Sequence, residues 1–404
     1  MQKTYDVVVV GGGPAGATAA TEFARRGFDV MLLDRAGRIK PCGGAIPPRL
    51  IADFEIPESL LVAHATSARM VSPSDQRVDI PIEGGFVGMV DREHFDEWLR
   101  VRAAGAGAER CNGRFERLDR DPDGVSVVHF HPAGGGPADD AAAVDAPARS
   151  VRAKLVIGAD GARSAVARQA IPGADQARCV FAYHEVLQVP EEMPASWEGS
   201  RCEVHYQGTL SPDFYGWVFP HGKTVSVGTG SAAQGFSLRA AVTELRQRSG
   251  LAGAQTIRRE GAPLPMKPLK CWDNGRDVLV IGDAAGVIAP ASGEGIYYAM
   301  ASARMAADAG AVMLREGKPK ALKLCRKEFM RQHGKVFLVL GVMQHFWYSS
   351  DKRRERFVSI CRDKDVQRLT FEAYMHKRLV RAQPWAHVRI FFKDLAHLMG
   401  LVRA

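Results

Sequence analysis

Residues Tyr5–Val10 form a near-continuous β-branched run, broken at once by Gly11-Gly12-Gly13-Pro14-Ala15-Gly16. A short run that is apolar on both faces reads as a central parallel strand. Ala17–Arg26 is alanine-rich and helical with Gly27 as its C-cap, and Phe28–Leu33 is a second strand ending in Asp34. The chain therefore begins with a βαβ unit carrying Gly11-x-Gly13-x-x-Gly16 at its first turn, and Asp34 lies 18 positions beyond Gly16. Gly11 permits the tight turn, Gly13 lets the backbone approach a pyrophosphate, and Gly16 lets helix and strand pack closely. Pro14 and Ala15 open the helix, whose N-terminal dipole favours phosphate. Asp34, followed by Arg35, is placed to accept from ribose hydroxyls. The unit predicts a dinucleotide site.

Farther along, Pro41–Pro48 is a Gly/Pro loop, Arg92–Ala104 has helical periodicity, and Val125–Phe130 reads as a strand. Pro132–Ser150 is Gly, Ala, Pro and Asp without periodicity, which predicts an exposed, disordered hairpin loop. Lys154–Ile157 is a short buried strand followed by Gly158-Ala159-Asp160-Gly161. From Val180 to Gly261 the pattern alternates with period two, which predicts an antiparallel sheet with one helix near Ser237–Arg248. Val278–Ile281 is another parallel strand, ending in Gly282-Asp283. Pro290–Ile296 then opens a helix, and the pattern stays helical to the end. Asp283 and the helix start at Gly295-Ile296 make a second site suited to a phosphate-bearing ligand.

Hydrophobic residues make up 46% of the 404, which excludes a disordered or fibrous chain. Formal net charge is +9, and residues 351–404 hold 13 Lys/Arg against 6 Asp/Glu, so that end favours an anionic surface such as a membrane face. The longest strongly apolar run, Val336–Met343, is far below the ~20 residues a helix needs to cross a bilayer. Asp6 and the glycines that follow argue against a signal peptide at Thr4–Val10. Seven scattered cysteines, never spaced C-x-x-C, argue against a disulfide scaffold or a zinc site. The expected setting is the cytoplasm, with peripheral contact on a membrane through the basic C-terminal region. No metal and no nucleic acid are expected.

Taken together with Asp160-Gly161, these motifs resemble the FAD-dependent oxidoreductases of the para-hydroxybenzoate-hydroxylase-like fold. Pro41-Cys42-Gly43-Gly44-Ala45 resembles the PCGG signature of geranylgeranyl reductases. Asp91–Leu99 is similar to that family's DRxxFDxxL helix, and Pro212, Tyr215, Trp217, Phe219 and Pro220 match its PxxYxWxFP motif. Lys40–Pro48 and Gly85–Arg92 look closest to the chlorophyll and bacteriochlorophyll branch. The resemblance implies FAD at Ala15, Asp34, Cys42, Gly43, Arg92, Asp283, Gly295 and Ile296, with Ala45 and Asp160 beside it, and NADPH as reductant. It implies reduction of three of the four double bonds of a geranylgeranyl chain, esterified to a (bacterio)chlorophyllide or carried on diphosphate, to give a phytyl chain.

The fold expected is α/β (α+β). It comprises an FAD-binding Rossmann-like domain over 1–175 and 271–318, an antiparallel-sheet substrate domain over 176–270, and a basic helical region over 319–404. Hydride addition to an isolated alkene needs a proton on the other carbon, and Cys42 is the candidate that donates or relays it; the bland alternative is packing against the flavin. Tyr215, Trp217 and Phe219 alternate on one strand, so they line a prenyl channel, fill the core, or do both. Arg92 bonds FAD oxygens or only caps its helix. His94, His184, His205 and His221 show no metal-ligand spacing and read as ordinary surface or core histidines. Two other functions remain open to the sequence: an aromatic hydroxylase of the same fold, and a flavin-bearing pigment carrier without turnover.

Overall fold

A computed structural model describes residues 3–35, 39–133, 147–192, 197–375 and 377. The core sheet has six strands: β1 (Thr4–Val10), β2 (Val30–Asp34), β8 (Glu109–Arg120), β9 (Ser126–Pro132), β10 (Arg149–Gly158) and β16 (Val278–Val280). β1 runs parallel between β2 and β10, and β16 runs parallel on the far side of β10. Val7, Val8 and Val9 are fully buried, as a strand covered on both faces requires. β9 pairs antiparallel with both β8 and the first half of β10. The strand expected at Lys154–Ile157 is therefore longer, because its amino-terminal half closes a hairpin. The segment read as a disordered loop lies largely outside the described residues.

Two helices cover one face of this sheet: α1 (Pro14–Arg25) and α6 (Ile296–Glu316). They meet closely, since a Cβ on Gly310 would lie 2.6 Å from the Phe23 ring. The other early helices are α2 (Pro48–Phe54), α3 (Arg92–Gly105) and α4 (Ala165–Ala170). A small sheet of β3 (Ala45–Ile46), β4 (Leu61–Ala65) and β7 (Val87–Val90) carries the chain across to the second layer.

The second sheet has seven strands. They are β5 (Ser67–Val71), β6 (Arg77–Pro81), β11 (Cys179–Gln188), β12 (Arg201–His205), β13 (Gly216–His221), β14 (Thr224–Ser231) and β15 (Thr256–Pro265). Two features depart from the sequence reading. β5 and β6 belong here although they precede residue 175, and β12 pairs parallel with β5 in an otherwise antiparallel sheet. Alternating burial along β6 gives it one apolar face, which only the second sheet's core can cover. α5 (Leu238–Arg248), capped by Ser237, packs on the sheet.

The chain continues through α7 (Lys323–Trp347), α8 (Asp351–Ile360) and α9 (Lys364–Met375). No helix among the described residues is long and apolar enough to cross a membrane.

Candidate active site

One cleft, with about 1120 Å³ of space partly continuous with solvent, runs between the Gly-rich turn, the start of α6 and the second sheet. A Cβ on Gly16 would lie 1.7 Å from the Gly11 carbonyl oxygen, so that glycine is demanded by the helix–strand crossing. Gly13 differs: a Cβ there would meet nothing within 4 Å and would project into free space at the N-cap of α1. Packing leaves Gly13 open on the side where a diphosphate would approach. Asp34 reaches back to the turn, where Oδ1 accepts from the Gly12 amide at 2.8 Å and Oδ2 from Arg100 Nη1 at 3.2 Å. Burial pushes the Asp34 carboxyl up, opposed by the Gly12 amide and Arg100. Arg100, on α3, was missed by the sequence reading because nothing local in a helix marks a partner 66 residues away.

At the other end, Asp283 follows β16 and pairs with Lys40 at 2.5 Å, while Gly295 caps α6 and Ile296 begins it. Ala15, Lys40, Asp283, Gly295 and Ile296 all line the cleft. Asp160 does not. Its carboxylate accepts from the Ser164 hydroxyl and from the amides of Ala165 (2.7 Å) and Val166 (3.2 Å), so it serves the start of α4. Its neighbours Ala159 and Gly161 line the cleft in its place, and so does Pro14; Arg35 does not.

The Pro41–Ala45 segment crosses the cleft against β13. Gly43 faces Phe219, whose ring would be 3.4 Å from an added Cβ. Gly44 has φ +71°, and a Cβ there would lie 2.5 Å from His221 Nε2. The paired glycines thus let the loop that carries Cys42 lie close against β13. Beside it, Arg92 is buried and holds Asp96 through two bonds of 2.8 and 2.7 Å. Burial works against the Arg92 charge, but Asp96 and then the Cys42 side chain more than offset it and raise the guanidinium. Asp91, rather than Arg92, caps the helix, accepting from the Glu93 amide at 3.0 Å.

Tyr215, Trp217 and Phe219 line the cleft in sequence, with ring centroids 6.1 and 6.3 Å apart. Tyr215 donates to the Ser292 carbonyl at 2.6 Å, tying the wall to the loop before α6. Trp217 Nε1 donates to Ser226 Oγ at 3.2 Å, and that oxygen lies 3.0 Å from His184 Nδ1. His184 Nε2 in turn lies 3.0 Å from Glu260 Oε2. His184 is thus a core histidine that backs the wall, and His221 touches the Cys42 loop. The sequence names both residues but not these places, because their partners lie on neighbouring strands whose register is set by long-range pairing. Among the described residues no His/Cys/Asp/Glu group could hold a metal.

A Gly-rich βαβ turn and a second helix start facing one cleft, backed by a separate sheet, define an FAD-dependent oxidoreductase of the para-hydroxybenzoate-hydroxylase-like class. A family model for pyridine nucleotide-disulphide oxidoreductases matches residues 5–193. A geranylgeranyl diphosphate reductase of Rhodobacter capsulatus is 57% identical over 398 residues, covering 98% of each chain. The chloroplastic geranylgeranyl diphosphate reductase of Oryza sativa subsp. japonica is 37% identical over 413 residues, 97% of this chain and 86% of the relative. A solved geranylgeranyl bacteriochlorophyll reductase-like protein from Thermoplasma acidophilum shares the fold, with a TM-score of 0.80 at 22% identity, over 95% of this chain and 99% of that one. The chain belongs to the geranylgeranyl reductase family. FAD is its cofactor, and the open space at Gly13 together with two helix starts facing one cleft fits it.

Proposed function

We propose that this protein reduces three double bonds of a geranylgeranyl chain, on (bacterio)chlorophyll or on diphosphate, to a phytyl chain with NADPH as reductant. One observation carries the reading: Cys42 and the aromatic wall of Tyr215, Trp217 and Phe219 line the same cleft as Gly13, Ala15, Asp283 and Ile296. Bound FAD, once reduced, supplies hydride. Gly13, Asp34, Asp283 and the start of α6 hold it, and Lys40 neutralises Asp283. The aromatic rings shelter an apolar chain from water and set its carbons in line. Cys42 gives its Sγ proton to the carbon that does not take hydride, and the neighbouring Arg92 stabilises the thiolate left behind.

We further propose that the protein meets its substrate at a membrane face. On α7, Leu338 (68% exposed), Val342 (60%) and Val339 (41%) lie outward within about a turn or two of exposed Lys335, and Lys352 and Arg353 are exposed on α8. Apolar side chains flanked by bases suit an anionic lipid interface. Farther along α7, Gln344 Oε1 accepts from the Ala291 amide at 3.0 Å, which ties this helix to the loop before α6. The basic residues after Lys377 that the sequence assigns to the same contact lie outside the described residues.

The deciding experiment is anaerobic. Purified protein with NADPH and a geranylgeranyl pigment should yield the phytyl pigment by mass spectrometry, and omission of NADPH should abolish it. An absolute requirement for oxygen would replace this reading with a hydroxylase. Flavin reduction without any change in chain length would leave a carrier.

A further inference from the structure

A second cavity lies behind the Pro41–Ala45 loop, with about 680 Å³ of space partly continuous with solvent. Asp91, His221, Thr224, Ser226, Arg258 and Glu260 line it, with Val62, Val90 and Ile257 between them. Those polar groups give water partners on this side of the loop, whereas the other side of the loop meets the aromatic rings of the reaction cleft.

Among the described residues, Lys40, Cys42 and Arg92 alone line both spaces. Lys40 is held by Asp283 and Arg92 by Asp96. With the two cations committed to those ion pairs, Cys42 is the member of the three open to exchange a proton with either space. Arg258 is matched by Glu260 at 3.1 Å, so the cavity presents no unpaired arginine there to hold an anion. His221 donates Nδ1–H to the Phe219 carbonyl at 3.1 Å, and burial brings its pKa down to about 4, so it is neutral when the enzyme works.

We propose that this second cavity is the proton inlet of the reaction, returning a proton from water to Cys42 after each double bond is reduced. The inference rests on the reading of Cys42 as proton donor. Each reduction places hydride from reduced flavin on one alkene carbon and the Cys42 proton on the other. The electrons of the broken S–H bond stay on sulfur as thiolate. Water in the second cavity then protonates the thiolate, and the hydroxide formed is neutralised by solvent. One chain needs this return for every double bond, and a prenyl chain seated against the aromatic wall would occupy the other side of the loop meanwhile.

The test plugs the second cavity from its rim. Ile257 and Val62 line it, do not line the reaction cleft, and are 48% and 42% exposed, so Ile257→Trp and Val62→Phe enlarge side chains without touching Cys42. In FAD-loaded, oxidised enzyme saturated with a geranylgeranyl substrate that fills the cleft, alkylation of Cys42 by iodoacetamide, read by peptide mass spectrometry, should slow in both variants. Steady-state chain reduction should fall about tenfold, whereas the first double bond reduced from pre-reduced enzyme and flavin bleaching by NADPH should keep their rates. Chains with one double bond reduced should accumulate. Unchanged alkylation, unchanged steady-state turnover, or an equal loss in the first reduction would each overturn the inlet. Failure of the donor reading registers separately, as a normal single-turnover rate in Cys42→Ser.

Discussion

Lys377 Nζ lies 2.7 Å from Glu294 Oε2, and neither side chain is more than 2% exposed. Glu294 lines the reaction cleft and its other oxygen accepts from the Tyr297 amide at 2.8 Å, so this pair pins chain beyond α9 to the start of α6. Burial pulls the Lys377 ammonium down, and Glu294 opposes it. Removing one partner leaves a buried charge alone, so Lys377→Met should cost about 3–5 kcal/mol in urea unfolding. The double variant Lys377→Met with Glu294→Gln should recover most of that loss. Equal stability of the single and double variants would show that the pair is not coupled.

The two glycines of the first turn should separate folding from cofactor binding. Gly13→Ala should fold with nearly unchanged apoprotein stability yet purify without flavin absorbance, because its methyl group occupies the diphosphate approach. Gly16→Ala should fail to fold, because its methyl group meets a backbone oxygen. Absorbance at the flavin bands and far-ultraviolet circular dichroism read both.

Cys42→Ser should retain FAD and accept hydride from NADPH but reduce the alkene about 10²–10⁴-fold more slowly. Serine nearly matches the thiol in shape and is a far weaker acid. A loss below about tenfold, some 1.4 kcal/mol of barrier, would leave Cys42 a packing residue. Single turnover from pre-reduced enzyme is the measurement.

Acid lability should trace in part to His333 on α7. It is 2% exposed among Tyr297, Tyr298 and Phe329, and neither ring nitrogen has a hydrogen-bond partner among the described residues. Burial, helped by Arg49 and Lys377, lowers its pKa from 6.5 to about 4. The unfolded chain binds the proton first, so this contribution is complete above pH ~6.5 and is lost as pH falls toward ~4, worth about 3 kcal/mol over that window. His333→Phe should flatten the dependence of Tm on pH there. An unchanged slope would assign the acid lability to other groups.

Vesicle pelleting tests the lipid surface. Leu338→Asp with Val342→Asp should leave Tm within a few degrees and reduce binding to vesicles containing anionic lipid, since exposed positions tolerate polar side chains. Unchanged pelleting would move the contact away from α7.

The sequence made the first βαβ unit legible because everything it needs is local: a buried strand, a turn only glycine can make, a helix and a terminal carboxylate. The Cys42 loop and the aromatic strand were legible as motifs. What they do to each other was not. Asp160 looked like a cofactor ligand beside Gly161, yet the start of α4 a few residues on takes both its oxygens, a competition that spacing cannot reveal. β5 and β6 carry no mark of the sheet they join, and the partners of His184 are chosen by strand register. Long-range pairing decides such features, and one chain read alone does not display it.

The seat of Gly43 on Phe219 and of Gly44 on His221 has a consequence for changing what this enzyme accepts. The side chains that bound the space for a prenyl chain are also the bearing on which the reactive loop rests. Trimming Phe219 to admit a bulkier chain would remove the surface that locates Cys42, and substrate range and proton delivery would shift together. A variant with altered chain preference and intact chemistry is better sought at Tyr215, which is tied to the Ser292 carbonyl and not to that loop.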